Sequence, residues 1–256
     1  MLLAITRGVS TRIVACELTH LERQAIDVDL ARAQHRAYED ALAQLGCRVD
    51  SLPALDDLPD SVFVEDAAIV LDEIAIVTRP GAESRRPEAA LIAPVLSNYR
   101  RVTFIQSPGT LDGGDVLRIG RRLFVGESGR SIESGIELLR AVAWPYGYSV
   151  TAVPVRGCLH LKSAITEVAP GTVLVNPAWV DSSAFGHVTV IEVDPGEAYG
   201  ANGLLVVGRL IYPESFPATR RRLEDAGVDV VPVDVSELQK AEGAITCCSL
   251  VFSAGE

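Results

Sequence analysis

The sequence predicts an α/β fold in which five pseudo-symmetric ββαβ-type units form a closed ring around a central active site. First, a polar opening residue, two short apolar runs and a helical segment recur about every 45 residues. Second, the last unit ends after its first apolar run, and the apolar residues 2–5 supply the missing strand. A ring closed by the two termini removes exposed strand edges, which otherwise invite aggregation.

The apolar runs and helical periodicity define the elements of each unit. Strand pairs are predicted at residues 67–71 with 74–77, 116–119 with 123–125, 164–168 with 173–175, 204–207 with 210–212, and 250–252 with 2–5. Helices are predicted at residues 87–98, 131–142 and 217–226. The clearest helix covers residues 31–45 and is predicted to end at Gly46. Residues 17–29 lack this pattern and are predicted to be a loop or short helix covering the site.

Composition narrows the class of protein. The 256 residues are 48% hydrophobic, which is enough for one large core, and nothing marks a second domain, so one catalytic domain over residues 1–256 is predicted. A net charge of −11 argues against nucleic acid or an anionic membrane as a partner. Five cysteines without framework spacing favour a reduced, cytoplasmic compartment, and no apolar run is long enough for a membrane span. A homodimer is compatible with the sequence.

The residues that open the five units are all polar. They are Asp66, Asp112, His160, Asn202 and Cys247. In a ring with cyclic pseudo-symmetry, equivalent positions converge on the axis. The sequence therefore predicts that these five side chains meet at one central site.

Cys247 and His160 are the candidate nucleophile and general acid/base. A thiolate is the reactive form of cysteine, and histidine is the commonest proton-transfer group near neutral pH. Asp112 would orient His160 and complete a set of nucleophile, base and orienting residue. Cys248 would point to the opposite face of a strand and serve as core filler.

Two structural alternatives stand beside this interpretation. A buried, hydrogen-bonded core histidine is the alternative for His160, which lies between Leu159 and Leu161. Cys158, His160 and the Cys247–Cys248 pair offer thiolate and imidazole ligands suited to zinc, although adjacent cysteines fit one tetrahedral centre poorly. The catalytic interpretation requires no metal or cofactor.

An acid cluster and two basic segments predict a cationic amino acid as the ligand. Asp60, Glu65 and Asp66 lie among apolar residues, where a carboxylate is costly to bury unless it is paired. A guanidinium group would pair with them through bidentate hydrogen bonds. An arginine of residues 79–86, or Arg130, would hold the carboxylate at the other end of the ligand.

These segments resemble a known family. Residues 60–66 (DSVFVED), 78–86 (TRPGAESRR), 111–117 (LDGGDVL), 159–163 (LHLKS) and 246–249 (TCCS) occur in the order found in dimethylarginine dimethylaminohydrolases. That family belongs to the guanidino-group modifying superfamily with the five-bladed α/β propeller, or pentein, fold. One departure follows Arg130, where relatives commonly read Thr-Asn and this chain reads Ser131-Ile132.

The resemblance implies a role for each matching residue. Cys247 would be the nucleophile and His160 the general acid/base, with Asp112 as its partner. The implied substrate-binding residues are Leu18 on a flexible lid, Asp60, Glu65, Asp66, Arg85, Arg130 and the carbonyl of Ala241. The implied reaction converts methylated arginine to citrulline and an amine without a cofactor. Arginine deiminase or amidinotransferase chemistry, and a binding module without catalysis, are the alternatives.

Overall fold

A computed structural model describes residues 1–254 and shows five three-stranded sheets arranged in a ring. In each sheet the first strand runs antiparallel to the second, and the third runs parallel to it. The strands are β1 Leu2–Arg7, β2 Arg48–Leu52, β3 Ala68–Val70, β4 Ile74–Val77, β5 Arg101–Phe104, β6 Val116–Ile119, β7 Arg122–Glu127, β8 Ser149–Pro154, β9 Ile165–Ala169, β10 Thr172–Val175, β11 Thr189–Glu192, β12 Leu204–Val206, β13 Arg209–Pro213, β14 Val230–Val233 and β15 Leu250–Ser253. The predicted strand pairs are therefore confirmed, with ends that shift by a few residues.

The ring closes through the two ends of the chain. Strand β15 pairs with β1 in antiparallel register, with Leu2 opposite Ser253 and Ile5 opposite Leu250. Strand β2 then pairs parallel to β1, so this sheet has the topology of the other four. The predicted closure by residues 2–5 is confirmed.

Helices follow the second strand in four of the five units. The helices are α1 Val28–Gln44, α2 Arg86–Leu96, α3 Glu133–Ala143, α4 Leu161–Ala164, α5 Pro217–Asp225 and α6 Ser236–Gln239. Helix α1 begins earlier than predicted because the Asp27 carboxylate accepts hydrogen bonds from the N–H groups of Asp29 and Leu30. Gly46 follows its end with a φ of 91°, a left-handed conformation that favours glycine.

Each unit shares its core with its neighbours. Strands β4 and β7, for example, contribute Ile76 and Val125 to one apolar cluster that α3 covers with Leu139. Four further clusters bridge the other pairs of neighbouring units. Because no unit buries a core alone, the ring is held together by the contacts that also fix its axis. No helix of residues 1–254 has both the length and the apolar character needed to cross a membrane.

The first strand of every unit lines a central channel of about 420 Å³ on one side of the ring. On the other side, each of four units opens with a single helical turn before its first strand. These turns are the 3-10 segments Val64–Ala67, Gly113–Asp115 and Thr246–Cys248, and helix α4. The expectation that Cys248 lies on a strand is wrong, since it belongs to the 3-10 turn Thr246–Cys248.

Candidate active site

A small cavity on the axis collects most of the predicted site residues. Its volume is about 20 Å³, which is space for about one water molecule. Seven of the predicted residues line it: Asp60, Asp66, Arg85, Arg130, His160, Ala241 and Cys247. Glu17, Phe63, Leu159, Glu242 and Gly243 complete the wall. Asp112 lies directly behind His160, whereas Leu18 and Glu65 lie outside this lining.

The turn Thr246–Cys248 presents one thiol to the cavity and buries the other. Cys247 is partly buried and lines the cavity, while the Cys248 side chain lies in the core with its Sγ 3.4 Å from the carbonyl oxygen of Ala244. Burial, with the charges of Glu65 and Asp66, raises the pKa of the Cys247 thiol above its ordinary value. In the empty site Cys247 is therefore a neutral thiol at neutral pH, and a bound cation would favour the thiolate.

His160 is held by Asp112. The imidazole Nε2 lies 3.0 Å from Oδ2 of Asp112, and Nδ1 lies 3.7 Å from Oδ1 of Asp66. Burial opposes protonation of the ring, but the charges of Asp66, Asp115 and Asp112 outweigh it and raise the pKa of His160 to about 9. At neutral pH His160 is thus an imidazolium, which can donate a proton to a leaving group.

Two glycines allow this close packing of turns. A Cβ atom on Gly113 would lie 1.9 Å from the carbonyl oxygen of Glu65. A Cβ atom on Gly114 would lie 2.6 Å from both Oδ1 of Asp66 and Nδ1 of His160. The two glycines of the LDGGDVL segment are therefore required for Asp66, Asp112 and His160 to share one small volume.

Asp66 and Arg85 form a buried ion pair at the edge of the cavity. Arg85 Nη1 donates to Oδ2 of Asp66 at 2.5 Å, and Nη2 donates to Oε2 of Glu88 at 2.8 Å and to the carbonyl oxygen of Phe63 at 3.0 Å. Burial opposes ionisation of Asp66, but His160 and Arg85 outweigh it and lower the pKa of Asp66 to about 2. Asp66 is therefore a fixed negative charge facing the thiol.

Glu65 points away from the cavity. It lines the central channel, where Nζ of Lys162 donates to its Oε1 at 2.5 Å and the Thr246 hydroxyl donates to its Oε2 at 2.8 Å. Asn202, the fourth opening residue, binds the N–H and hydroxyl of Thr246 and the carbonyl oxygen of Lys162. The role of Glu65 in gripping a guanidinium group stays a prediction.

Residues 17–21 form a loop that closes over the cavity. The N–H groups of Thr19, His20 and Leu21 donate to the Glu242 carboxylate at 2.9, 2.5 and 2.5 Å. At the start of the loop, the Glu17 N–H lies 3.2 Å from both carboxylate oxygens of Asp60. The backbone of the loop is thus tied to two acids of the cavity wall.

Side chains of the loop add to this closure. Arg130 donates from Nη2 to the Thr19 hydroxyl at 3.0 Å, and the Ser84 hydroxyl donates to the Glu17 carboxylate at 2.6 Å. Leu18 is half-buried against the core between α1 and β13. The predicted loop over residues 17–29 is confirmed up to Asp27, after which α1 begins.

Three of the site residues also have the geometry of a metal-binding group. One ligand atom from each of Asp66, Asp112 and His160 lies within 4.8 Å of the others, and residues 1–254 contain no second such group. Their oxygens already have protein donors, since Gly114 and Arg85 bind Asp66, while Gly81 and His160 bind Asp112. The cysteines of the zinc alternative do not join this group.

Sequence reasoning missed several charged residues around the site. Asp115 and Lys162 lie within recognised segments next to apolar residues, and a charged residue in that context was the signal that would have revealed them. Asp115 is fully buried, whereas Lys162 is partly buried. Glu242 had no such signal, because its partners are more than 220 residues away in sequence. Where relatives commonly carry Thr, Ser131 keeps a hydroxyl, which accepts from the N–H of Asp112 at 3.0 Å.

The ring and its axial Cys, His and carboxylate groups define a guanidino-group modifying hydrolase of the pentein fold. No protein-family model matches the chain. It is 41% identical to a curated N(G),N(G)-dimethylarginine dimethylaminohydrolase of Streptomyces coelicolor over 96% of this chain and 95% of the relative. The chain therefore belongs to the dimethylarginine dimethylaminohydrolase family.

Solved structures agree with this assignment. A cysteine-to-serine mutant of the Pseudomonas aeruginosa dimethylarginine dimethylaminohydrolase, complexed with citrulline, superposes with a TM-score of 0.91 at 32% identity, over 97% of this chain and 98% of that one. A histidine-to-glycine variant of a dimethylarginine dimethylaminohydrolase, an adduct with S-methyl-L-thiocitrulline, gives a TM-score of 0.93 at 33% identity over 98% and 100%.

Proposed function

We propose that the protein hydrolyses Nω-methylated arginine, both the asymmetric dimethylated and the monomethylated forms, to citrulline and dimethylamine or methylamine. The observation that carries this proposal is that Cys247 and His160 line one closed cavity with Asp60 and Asp66. Such a site offers a nucleophile, a proton donor and fixed negative charge to a guanidinium group. The solved relatives support it, since one holds citrulline and another an adduct with a thiocitrulline.

The charges of the cavity suggest how the substrate is oriented. The guanidinium group would lie against Asp66 and Asp60, beside the thiol of Cys247. The α-carboxylate would reach Arg130, whose Nη2 donates to a loop hydroxyl that the substrate can replace. Arg85 already donates from all three nitrogens, so it would contribute through its charge and the second hydrogen of Nη1.

The remaining contacts are proposed from position. The carbonyl of Ala241 would accept from the substrate amino group, because Ala241 lines the same wall as Arg130. Leu18 would cover the bound substrate as part of the loop. Glu65 would act on the guanidinium from across the turn that it shares with Asp66, and its partner Lys162 would hold it in place.

The chemistry follows from the charges on Cys247 and His160. The cationic substrate favours the thiolate, so the Cys247 thiol would lose its proton to solvent as the substrate binds. The thiolate then attacks the guanidinium carbon and forms a C–S bond. Imidazolium His160, oriented by Asp112, gives its proton to the amine nitrogen as the C–N bond breaks, which leaves a covalent S-alkylthiouronium. Neutral His160 then takes a proton from water and the hydroxide attacks the same carbon. The C–S bond breaks, the hydroxyl proton returns to the sulfur of Cys247, and citrulline is released.

The closed loop must open for turnover. A cavity of about 20 Å³ holds no amino acid, so substrate entry requires residues 17–21 to leave Glu242 and Asp60. Reclosure would then exclude bulk water while the thiouronium forms. Departure of the amine would then leave room beside His160 for the water that attacks the thiouronium.

Citrulline release from asymmetric dimethylarginine, compared with release from arginine and agmatine, tests the proposal. We expect turnover of the methylated substrate and a mass increase at Cys247 during turnover. Cys247→Ser is expected to fold and to lose activity by about 10⁴-fold or more. Near-wild-type activity of Cys247→Ser, or preferred turnover of unmethylated arginine, would sink the proposal in favour of a different mechanism or of deiminase chemistry.

Three broader features are proposed on the same footing. We propose one catalytic domain over residues 1–256, which the pairing of β1 with β15 supports, although residues 255 and 256 lie outside the described range. A cytoplasmic location is supported by five free cysteines at residues 16, 47, 158, 247 and 248. A homodimer stays a prediction for solution measurement.

A further inference from the structure

Asp115 is a buried carboxylate that the proposed reaction does not use. Its side chain is fully enclosed, and three donors converge on it. The N–H of Leu161 donates to Oδ1 at 2.9 Å, and the hydroxyls of Ser128 and Ser131 each donate to Oδ2 at 2.6 Å. Because Leu161 directly follows His160, Asp115 fixes the peptide that carries the imidazole.

Asp115 also reaches the partner of His160. The Ser131 hydroxyl donates to Asp115 and accepts from the N–H of Asp112 at 3.0 Å. The Asp112 carboxylate in turn lies 3.0 Å from Nε2 of His160. One carboxylate therefore ties together the peptide after His160 and the backbone of the residue that orients its ring.

The packing leaves no room for another arrangement. A Cβ atom on Gly126 would lie 2.6 Å from Oδ1 of Asp115 and 2.9 Å from Cβ of Leu161. Strand β7 thus passes against the carboxylate at the one position where glycine admits it. Asp115 can move only if the turn that follows His160 moves with it.

The hydrogen bonds that Asp115 accepts do not by themselves require a charged side chain. Among residues 1–254, no Lys or Arg forms an ion pair with it, although a buried carboxylate without a cation is costly. An asparagine would accept the same N–H bond at lower cost. The nearby cation is protonated His160. The negative charge of Asp115 favours the protonated ring, and the positive charge of His160 favours the ionised carboxylate of Asp115.

Other charges around His160 must be separated from this effect. Asp66 and Asp112 face the ring directly, and Cys158 Sγ lies 3.4 Å from its carbonyl oxygen. The charged or titratable groups that share its cavity are Glu17, Asp60, Arg85, Arg130, Glu242 and Cys247. Substituting Asp115 alone leaves all of them in place.

We propose that Asp115 is a positioning residue for the reaction proposed above, which holds His160 and Asp112 in register and stabilises the imidazolium that protonates the leaving amine. Burial raises the pKa of Asp115 to about 6, so the carboxylate is ionised at neutral pH, when the imidazolium is needed. This inference rests on the proposed function for its catalytic part only.

Asp115→Asn is the variant that tests the charge. The amide keeps an acceptor for Leu161 N–H, and the two serine hydroxyls can rotate to accept from its NH₂ group. NMR titration of isotope-labelled histidine is expected to show the pKa of His160 lowered by about one unit or more. With dimethylarginine, kcat is expected to fall by about 10- to 100-fold with little change in KM, and the alkaline limb of the pH profile to move to lower pH.

Ser128→Ala and Ser131→Ala separate the charge from the hydrogen bonds. Ser128→Ala removes a donor to Asp115 but keeps the charge, so the pKa of His160 is expected to stay near wild type. Ser131→Ala cuts the link to Asp112, so kcat is expected to fall while His160 remains protonated at neutral pH. Ser131→Ala also serves if Asp115→Asn does not fold, because it keeps the carboxylate.

Three results would overturn the inference. They are an unchanged pKa of His160 in Asp115→Asn, an equal decrease in Ser128→Ala, and wild-type kcat in Ser131→Ala. The titration needs no turnover, so it tests Asp115 even if the wild-type protein releases no citrulline. That last outcome would count against the proposed function alone.

Discussion

Glu65 and Asp66 are neighbours in one 3-10 turn, yet they face opposite sides of the ring. Asp66 faces the closed cavity and is fixed by Arg85 and His160, whereas Glu65 faces the open channel and is fixed by Lys162. The pKa of Asp66 is lowered to about 2, while burial raises that of Glu65 above its ordinary value despite the opposing charge of Lys162. The side of the ring that a carboxylate faces therefore determines its charged partners and the direction in which its pKa is shifted.

The two sides of the axis also differ in access. The cavity beside Cys247 holds about 20 Å³ and is covered by residues 17–21, whereas the channel holds about 420 Å³ and is lined by the first strands of all five units. The ion pair between Glu65 and Lys162 lies where the two sides meet. We infer that it seals the covered side, so substitutions on the two sides should affect different measurements.

Breaking the pair on the channel side should have the largest effect on stability. Glu65→Gln leaves Lys162 as a largely enclosed cation without its carboxylate, which is expected to lower the free energy of unfolding by about 3 kcal/mol in urea titrations. The double variant Glu65→Gln/Lys162→Met removes both charges and is expected to recover much of the loss. A Glu65→Gln protein that stays stable but loses kcat/KM as strongly as Asp66→Asn would break the comparison and support Glu65 as a guanidinium ligand.

Removing the charge on the cavity side should act on turnover. Asp66→Asn is expected to lower kcat/KM for dimethylarginine by about a hundredfold, because a charge-assisted contact contributes up to about 3 kcal/mol. Asp57→Asn is the matched control, since Asp57 is fully exposed and its contact with Arg12 spans 3.7 Å. Equal activity of Asp66→Asn and the control would remove Asp66 from the substrate-binding set.

The raised pKa of His160 predicts a pH-dependent stability. The folded value of about 9 lies above the ordinary value of 6.5, so the contribution is fully present below pH 6.5 and is lost as pH rises through 9. The loss across this window is expected to be about 3 kcal/mol, from unfolding measured at pH 6 and pH 9. His160→Gln should abolish this part of the slope, and an unchanged slope would contradict the raised pKa.

The sequence predicted the ring better than the details of the axis. The repeat and the apolar runs of the sequence were enough to predict that β15 pairs with β1, because strand pairing follows patterns that are local to each unit. They did not predict the 3-10 turn Val64–Ala67, which positions Glu65 and Asp66 directly before the predicted strand. Such a turn depends on the close approach of Gly113, which is a contact between units and leaves no periodic trace.

The contacts that hold the loop of residues 17–21 over the cavity were even harder to predict from the sequence than the turns at the axis. Its position was predicted from the absence of a helical pattern, but its anchor was not, because Glu242 lies 223 residues from Thr19. Glu242 also adopts a left-handed backbone conformation, with a φ of 57°, which few residues other than glycine adopt freely. Glu242 adopts this conformation where it binds the loop, and the sequence around Glu242 does not predict it.

Loosening that anchor should give the smallest effect of the series. Glu242→Gln replaces one carboxylate oxygen with an NH₂ group that repels the N–H donors of the loop, so the open form gains population. We expect KM for dimethylarginine to rise about tenfold with little change in kcat, which corresponds to about 1.4 kcal/mol.

Trypsin cleavage after Arg23, which is exposed near the end of the loop, reports the same opening without substrate and is expected to be faster in Glu242→Gln. Glu214→Gln is the control, because Glu214 is exposed and its carboxylate makes no contact with the loop. Unchanged KM and unchanged cleavage would show that residues 17–21 are held by Asp60 and Arg130 instead of Glu242. The difference in access between the two sides of the axis would then depend on the cavity wall and not on Glu242.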